Sequence, residues 1–221
     1  MDTLRNEGWI DYNTLQFSAT KRLSGGVSGR VSYAYSRGRG NVATGQADTA
    51  NSQILGDLNL ANDVGPTNVD RPHVLSVAGS YDVPRTRGLK VSGVFQARSG
   101  VPFTLIDSTF DLDRNGSTAN EYLPAGTYSG SGQEAITVEN AGGRNGARGP
   151  GYASLDLRAG YAFRLSRGRT LNAFVDVFNA TNRANFANPS GDQRLSATFL
   201  NLTSLVNGVA RTVQLNVRYG F

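Results

Sequence analysis

The chain has 221 residues, of which 38% are hydrophobic, with a formal charge of +5 and a mean hydropathy of −0.34. No apolar run of about 18 residues could form a transmembrane helix, cysteine is absent, and the basic residues are scattered singly through the chain. We therefore expect neither a helical membrane protein, nor disulfides or thiolate metal sites, nor a protein that binds nucleic acid.

Seven segments alternate apolar and polar residues, as amphipathic β-strands do. In chain order their apolar faces lie at 15–19, 27–35, 75–83, 89–97, 155–165, 171–177 and 213–221. Each segment is about nine to thirteen residues long, which is the length that a tilted strand needs to cross a bilayer. The sequence predicts an all-β fold, an antiparallel meander of about seven to eight transmembrane strands.

The connections between these segments alternate in length. Short turns at 24–26, 84–88 and 166–169 are followed by long segments at about 39–72, 99–151 and 179–210. This asymmetry is typical of outer-membrane barrels, which have tight periplasmic turns and large extracellular loops. We expect one β-barrel region over 1–221, in contact with the outer-membrane lipid of a Gram-negative-type bacterium.

The predicted strand number is odd, whereas single-chain bacterial barrels have an even number of strands. Either an eighth strand lies within residues 2–11, or strands that precede Met1 are missing. No secretory signal opens the chain, since its first residues lack an apolar stretch. We favour missing strands, and expect the chain to be a fragment of a larger outer-membrane β-barrel.

The last predicted strand ends on an aromatic residue. Val217, Tyr219 and Phe221 share its apolar face. This ending resembles the terminal strand of bacterial outer-membrane barrels, in which the barrel-assembly machinery reads the pattern. The resemblance implies that these three residues form an assembly signal.

Charged residues lie on the polar sides of the predicted strands. Arg or Lys at mid-depth in lipid costs about 2 to 4 kcal/mol, so these charges are expected to face the barrel lumen. The residues are Arg30, Arg98, Asp156, Arg158 and Asp176. We interpret them as a network that packs against a plug or holds water, with direct contact to a substrate as the alternative.

One long segment contains the beginning of a calcium-loop pattern. Asp111, Asp113 and Asn115 have the spacing of oxygen ligands, but Tyr122 stands where a bidentate glutamate is expected. We favour a solvated acidic turn, and the alternative is a calcium ion that orders the loop. The single histidine, His73, has no spaced nucleophile; we expect a role at the loop rim, no catalytic residue, no enzyme activity and no other cofactor.

Five stretches together resemble the C-terminal third of Oar-like TonB-dependent outer-membrane receptors, the group that often carries an N-terminal carboxypeptidase-regulatory-like domain. They lie in the family's order at 11–16 (Asp-Tyr-Asn-Thr-Leu-Gln), 70–73 (Asp-Arg-Pro-His), 99–103 (Ser-Gly-Val-Pro-Phe), 148–156 (Arg-Gly-Pro-Gly-Tyr-Ala-Ser-Leu-Asp) and 177–186 (Val-Phe-Asn-Ala-Thr-Asn-Arg-Ala-Asn-Phe). Pro72 departs from the pattern, where a second arginine is more usual.

The resemblance implies a receptor that binds a ligand at its loops and plug and imports it with energy from TonB. This chain would supply wall, lumen lining and three loops, while the plug domain and TonB would be partners only through the missing N-terminal part. Two alternatives remain, a complete small barrel that is structural or a narrow pore, and a soluble lipocalin-like binding barrel. Four apolar residues distinguish a membrane barrel from a soluble one, because they would face outward in the first and inward in the second. They are Val31, Phe95, Leu157 and Leu215.

Overall fold

The computed structural model of the protein describes residues 8–41, 63–86, 88–111, 114, 116, 118, 121–206 and 210–221. Seven long strands are β1 (Ile10–Ser24), β2 (Val27–Gly40), β4 (His73–Asp82), β5 (Leu89–Arg98), β10 (Tyr152–Arg164), β11 (Thr170–Phe178) and β12 (Thr212–Gly220). Five short strands are β3 (Gly65–Pro66), β6 (Pro102–Phe103), β7 (Gly126–Ser129), β8 (Thr137–Asn140) and β9 (Ala147–Arg148). None of the helices found in the described ranges is both long and apolar enough to cross a membrane.

The seven long strands form one sheet in the order β1-β2-β4-β5-β10-β11-β12, and every neighbouring pair is antiparallel. The prediction of an all-β antiparallel meander is confirmed. The β1–β2 hairpin closes through Gly25 and Gly26, which have φ of 61° and 79°. A two-residue hairpin of this type needs positive φ at both central residues, which glycine adopts without strain.

The strand register joins the apolar positions into one continuous face. One row of directly opposed residues runs across five strands through Ala19, Val31, Val77, Phe95 and Leu155. A second row, nearer the short turns, runs through Tyr81, Val91, Ala159, Val175 and Leu215. Residues that oppose each other in a sheet share a face, so the predicted alternation describes a single surface.

The apolar face is not covered by protein. Val31, Leu157 and Leu215 are 36%, 40% and 75% exposed, and Phe95 is half-buried. Within the described ranges, the buried hydrophobic cluster contains no residue of the seven long strands. The sheet therefore presents its apolar side to the surroundings, as a membrane barrel does.

The long connections that follow β2, β5 and β11 pack together at one end of the sheet, and we call this region the loop cap. It contains β3 and β6 to β9, short strands that the alternation of residues did not predict. Its hydrophobic core consists of Leu105, Leu123, Val138, Ala147, Phe199 and Leu200. The loop cap is thus a folded layer with its own core, rather than a set of separate loops.

Candidate functional site

The five charged residues that were expected to face the lumen all share the polar face of the sheet. Arg30 lies in the row Thr20-Arg30-Ala78-Val94-Asp156, whereas Arg158 lies directly opposite Asp176. Arg98 lies at the end of β5, opposite Tyr152. The register therefore brings these charges to one side, although it separates them along and across the sheet.

Arg158 and Asp176 form an ion pair on this face. Both the Nε and Nη2 atoms of Arg158 donate to the carboxylate of Asp176, the latter at 3.0 Å. Asn216 Nδ2 donates to the same carboxylate at 2.9 Å, and the guanidinium lies 5.4 Å from the ring centroid of Phe174. This bidentate pair links β10, β11 and β12 and leaves the Arg158 side chain half-exposed.

A shallow depression lies between this ion pair and Arg30. Its floor is made of small residues, among them Ser28, Ser80, Ser92 and Gly93. The hydroxyl oxygens of Ser28 and Ser80 are 2.7 Å apart. Arg30 on one side, the Arg158–Asp176 pair on the other, and Asp156 with the serine hydroxyls make this a polar surface of mixed charge. The arrangement includes no nucleophile paired with a general base.

Two other predicted lumen residues have local structural partners. Asp156 accepts hydrogen bonds from the backbone amide of Asn179 at 2.8 Å and from the hydroxyl of Ser154 at 3.3 Å. The guanidinium of Arg98 lies 4.2 Å from the ring centroid of Tyr152. Both residues therefore hold the ends of strands next to the loop cap.

An arginine and aspartate network joins the loop cap to the sheet. Asp70 is 1% exposed, and its carboxylate accepts from the amide of Gly38 at 2.8 Å and from Arg148 Nη2 at 2.5 Å. Arg148 Nη1 donates to the carbonyls of Asp70 and Gly100, both at 2.8 Å. The stretches 70–73, 99–103 and 148–156 consequently meet at one place.

Arg71 extends this network. Its Nη1 atom donates to the carbonyl of Ser99 at 2.8 Å. Burial, reinforced by the charges of Arg98 and Arg148, lowers the pKa of Arg71. Three neighbouring guanidinium groups make this part of the loop cap electropositive.

Asparagine side chains attach the fifth stretch to the others through backbone groups. Asn185 accepts from the amide of Ala153 at 2.9 Å and donates to its carbonyl at 3.0 Å. Asn188 Nδ2 donates to the carbonyls of Val101 and Pro102 at 3.3 and 3.2 Å. Sequence reasoning missed this function of the asparagines, and its only signal was their repetition within 179–188.

A second buried polar cluster, also missed from the sequence, holds the interior of the loop cap. Asp63 is fully buried, and Arg144 Nη2 donates to the carbonyl of Gly40 at 2.5 Å. Burial and the nearby Asp63 carboxylate, which hydrogen-bonds to the phenol, raise the pKa of Tyr122. Burial lowers the pKa of Arg144, and the nearby Tyr122 and Asp63 offset part of this decrease.

The candidate calcium loop is described only in part. Asp111 Oδ2 accepts a hydrogen bond from the amide of Gly116 at 2.9 Å, while Asp113 and Asn115 lie outside the described residues. Tyr122, at the twelfth position, belongs to the cluster with Asp63. No group of three or more metal-ligating side chains occurs in the described part of the chain, and calcium binding stays a prediction.

The predicted assembly signal lies on the outward face of the last strand. Val217, Tyr219 and Phe221 are 71%, 48% and 102% exposed. The rings of Tyr219 and Phe221 have centroids 6.3 Å apart. Tyr219 and Phe221 thus give this edge strand an aromatic end, and recognition of the three residues by the assembly machinery stays a prediction.

An uncovered apolar face, a polar face with paired charges and a cap of long connections together define a membrane β-barrel wall. A family model described as "Outer membrane beta barrel domain" matches residues 1–214, and the chain belongs to this family. The protein is accordingly located in the outer membrane. No curated protein and no solved structure matches the chain.

Family membership and the outward apolar face overturn one of the alternatives. In a lipocalin-like barrel, Val31, Leu157 and Leu215 would line a buried interior, and the polar face would meet water. In the outer-membrane family to which the chain belongs, the apolar face of the strands meets lipid instead. The alternative of a soluble binding barrel is therefore wrong.

Proposed function

We propose that this chain is a C-terminal barrel segment of an Oar-like TonB-dependent receptor, which takes up an unidentified ligand across the outer membrane. The proposal rests on the contacts that join four of the five stretches whose sequences resemble this receptor family. Arg148 and Asp70 join 148–156 to 70–73, and Asn185 joins 177–186 to 148–156. Stretches that share one contact network are expected to diverge slowly, because each depends on the others.

The open edges of the sheet support a larger barrel. Six antiparallel pairings separate β1 from β12, so these two strands run in the same direction. No pairing between them occurs among the described residues. Joining them directly would give a parallel contact, whereas an odd number of additional strands would close an antiparallel barrel with an even total.

The receptor's orientation follows from the lengths of its connections. Short turns are periplasmic and long loops are extracellular in outer-membrane barrels, so the loop cap would meet an incoming ligand first. The polar face with Arg30, Arg158 and Asp176 would then line the route or contact a plug. Plug domain and TonB would belong to other parts of the same receptor.

Cysteine labelling tests the orientation, because the native chain contains no cysteine. Ser131 is exposed in the loop cap and Arg85 is exposed in the short turn after β4. A membrane-impermeant maleimide should label Ser131→Cys in intact cells and Arg85→Cys only after permeabilisation. The reverse pattern would contradict the orientation.

The receptor assignment needs a separate experiment. The intact gene product should be isolated from outer membranes, mapped by mass spectrometry, and tested for nutrient uptake with and without TonB. A signal peptide, a plug and further amphipathic strands, with TonB-dependent uptake, would support the receptor. A product confined to this chain that conducts ions passively would instead indicate a small pore.

A further inference from the structure

A group of aromatic and basic residues lies on the outward face of the sheet, next to the loop cap. We call Tyr33, Tyr35, Arg37 and His73 the rim cluster. Tyr33 and Tyr35 continue the apolar face that includes Val31, and Arg37 follows them on the same side of β2. Tyr35 and Arg37 are exposed, whereas the alternate residues of β2 at this end are buried.

Contacts within the rim cluster hold its side chains in place. Tyr33 Oη and His73 Nδ1 are 2.8 Å apart, and the Tyr35 and His73 rings have centroids 5.4 Å apart. Arg37 Nε donates to Tyr35 Oη at 3.2 Å. The two terminal nitrogens of Arg37 have no hydrogen-bond partner among the residues that the structure describes. A positioned guanidinium therefore presents free donors to the outside.

The charges near the rim cluster favour an anion at Arg37. Arg39 follows on the same face and lies opposite Asp11, whereas Arg37 lies opposite the neutral Asn13. Asp11 is thus positioned to balance Arg39. The carboxylate whose charge acts on Arg37 is that of Asp70, which is buried and already accepts hydrogen bonds from Arg148 and the amide of Gly38. Arginine forms bidentate hydrogen bonds with phosphate more readily than other side chains do.

The depth of the rim cluster matches that of lipid headgroups. Tyrosine side chains typically mark the membrane interface. Arg37 lies two residues beyond Tyr35, which is about 7 Å along the strand and about 5 Å along the membrane normal for a tilt of about 40°. The polar layer on each side of a bilayer is roughly 5 to 7 Å thick. Arg37 would therefore lie within that layer, where lipid phosphates are found.

We propose that the rim cluster binds the phosphate of an outer-leaflet lipid headgroup. The terminal nitrogens of Arg37 donate to the phosphate oxygens, while Tyr35 and His73 position the guanidinium and pack against the lipid. This site depends on the orientation proposed above but not on the receptor's ligand or on TonB. Its occupant is a membrane lipid that remains beside the barrel wall.

The only tryptophan of the chain offers a reporter for this site. Trp9 lies next to the start of β1, where its backbone amide donates to Asn41 Oδ1 at 2.8 Å. It is therefore at the same end of the sheet as the rim cluster. Spin-labelled lipids that bind near Arg37 should quench its fluorescence more than lipids that only diffuse past.

The test uses the intact gene product, with any tryptophan outside this chain replaced by phenylalanine, refolded into phosphatidylcholine vesicles that contain either spin-labelled phosphatidic acid or spin-labelled phosphatidylcholine. We expect the protein to favour phosphatidic acid by about tenfold, the size of one charge-assisted contact. Arg37→Gln should reduce this preference to near unity, and His73→Gln should reduce it in part. Arg85→Gln, which removes an exposed arginine from a short turn, should leave it unchanged.

Two results would overturn the proposal. One is an equal preference for phosphatidic acid in the native protein and in Arg37→Gln, with both correctly refolded by circular dichroism. The other is full displacement of the spin-labelled lipid by millimolar inorganic phosphate, which would indicate a site for a soluble anion. If nutrient uptake did not depend on TonB, the proposed receptor function would be contradicted, whereas the proposed lipid site would be unaffected.

Discussion

Replacing a valine by arginine on each face of the sheet tests which face meets lipid. Val31 and Val94 are the same residue type, are 36% and 38% exposed, and lie in adjacent rows across the middle of the sheet. Val31 is on the apolar face, whereas Val94 is on the polar face, opposite Asp156. The two substitutions thus differ mainly in the environment that receives the charge.

The expected difference is large. For exposed residues of a soluble protein, both substitutions would change the free energy of unfolding by no more than about 0.5 kcal/mol. In a membrane barrel, arginine on the lipid face at mid-depth costs about 2 to 4 kcal/mol. Val31→Arg should therefore lower the free energy of unfolding by that amount, while Val94→Arg, which can approach the Asp156 carboxylate, should have little effect.

The assay is unfolding of the intact gene product from phosphatidylcholine vesicles by guanidinium chloride. It follows the fluorescence of Trp9, after any tryptophan outside this chain has been replaced by phenylalanine. Each 1.4 kcal/mol corresponds to a tenfold change in the folding equilibrium, so the two variants should separate clearly. Equal destabilisation by both substitutions, or a larger effect at Val94, would refute the assignment of the apolar face to lipid.

Leu105 is fully buried in the core of the loop cap, and Leu105→Ala should destabilise this region by about 2 to 5 kcal/mol. The amide of Leu123 donates to the Leu105 carbonyl. Hydrogen exchange at this amide should therefore accelerate, while exchange in β5 is unchanged. Burial opposes ionisation of Asp192, but hydrogen bonds from Ser108 and from the Arg194 amide outweigh it and lower its pKa. The ionised carboxylate therefore stabilises the loop cap at pH values above the pKa of an aspartate in the unfolded chain, about 3.9. This stabilisation is lost as the pH falls through the lower pKa that Asp192 has in the folded protein. Asp192→Asn should remove this pH dependence in a hydrogen-exchange titration. Deletion of Phe221 should reduce assembly in cells without changing refolding into vesicles in vitro, and equal losses in both measurements would argue against an assembly signal.

The strands were predictable because each one carries its signal locally. Alternation at Val213, Leu215 and Val217 reflects two different environments on the two sides of a strand, which needs no knowledge of the neighbouring strands. The tight first hairpin was equally local, since Gly25 and Gly26 allow the positive φ that such a turn requires. The seven predicted segments accordingly coincide with the seven long strands of the sheet.

The candidate site was predictable only in part. The alternation assigned Arg158 and Asp176 to the polar side, but their pairing depends on the register between β10 and β11. Asp156 was assigned to the same side, but the hydrogen bond that its carboxylate accepts from the amide of Asn179 depends on the neighbouring strand end. A carboxylate on a polar face has the same sequence pattern in either role, because its partner comes from another strand or loop.

Strand positions, their two faces and the alternation of short and long connections can be read from the sequence, because they depend on residue type at neighbouring positions. The packing of the long connections as one layer around Leu105 and Leu200, and the contact of Asp70 with Arg148, are visible only in the folded chain. Those contacts join residues that are far apart in the chain and have no periodic pattern. Their free energy comes from burial and hydrogen bonds that exist only after the strands have brought the connections together.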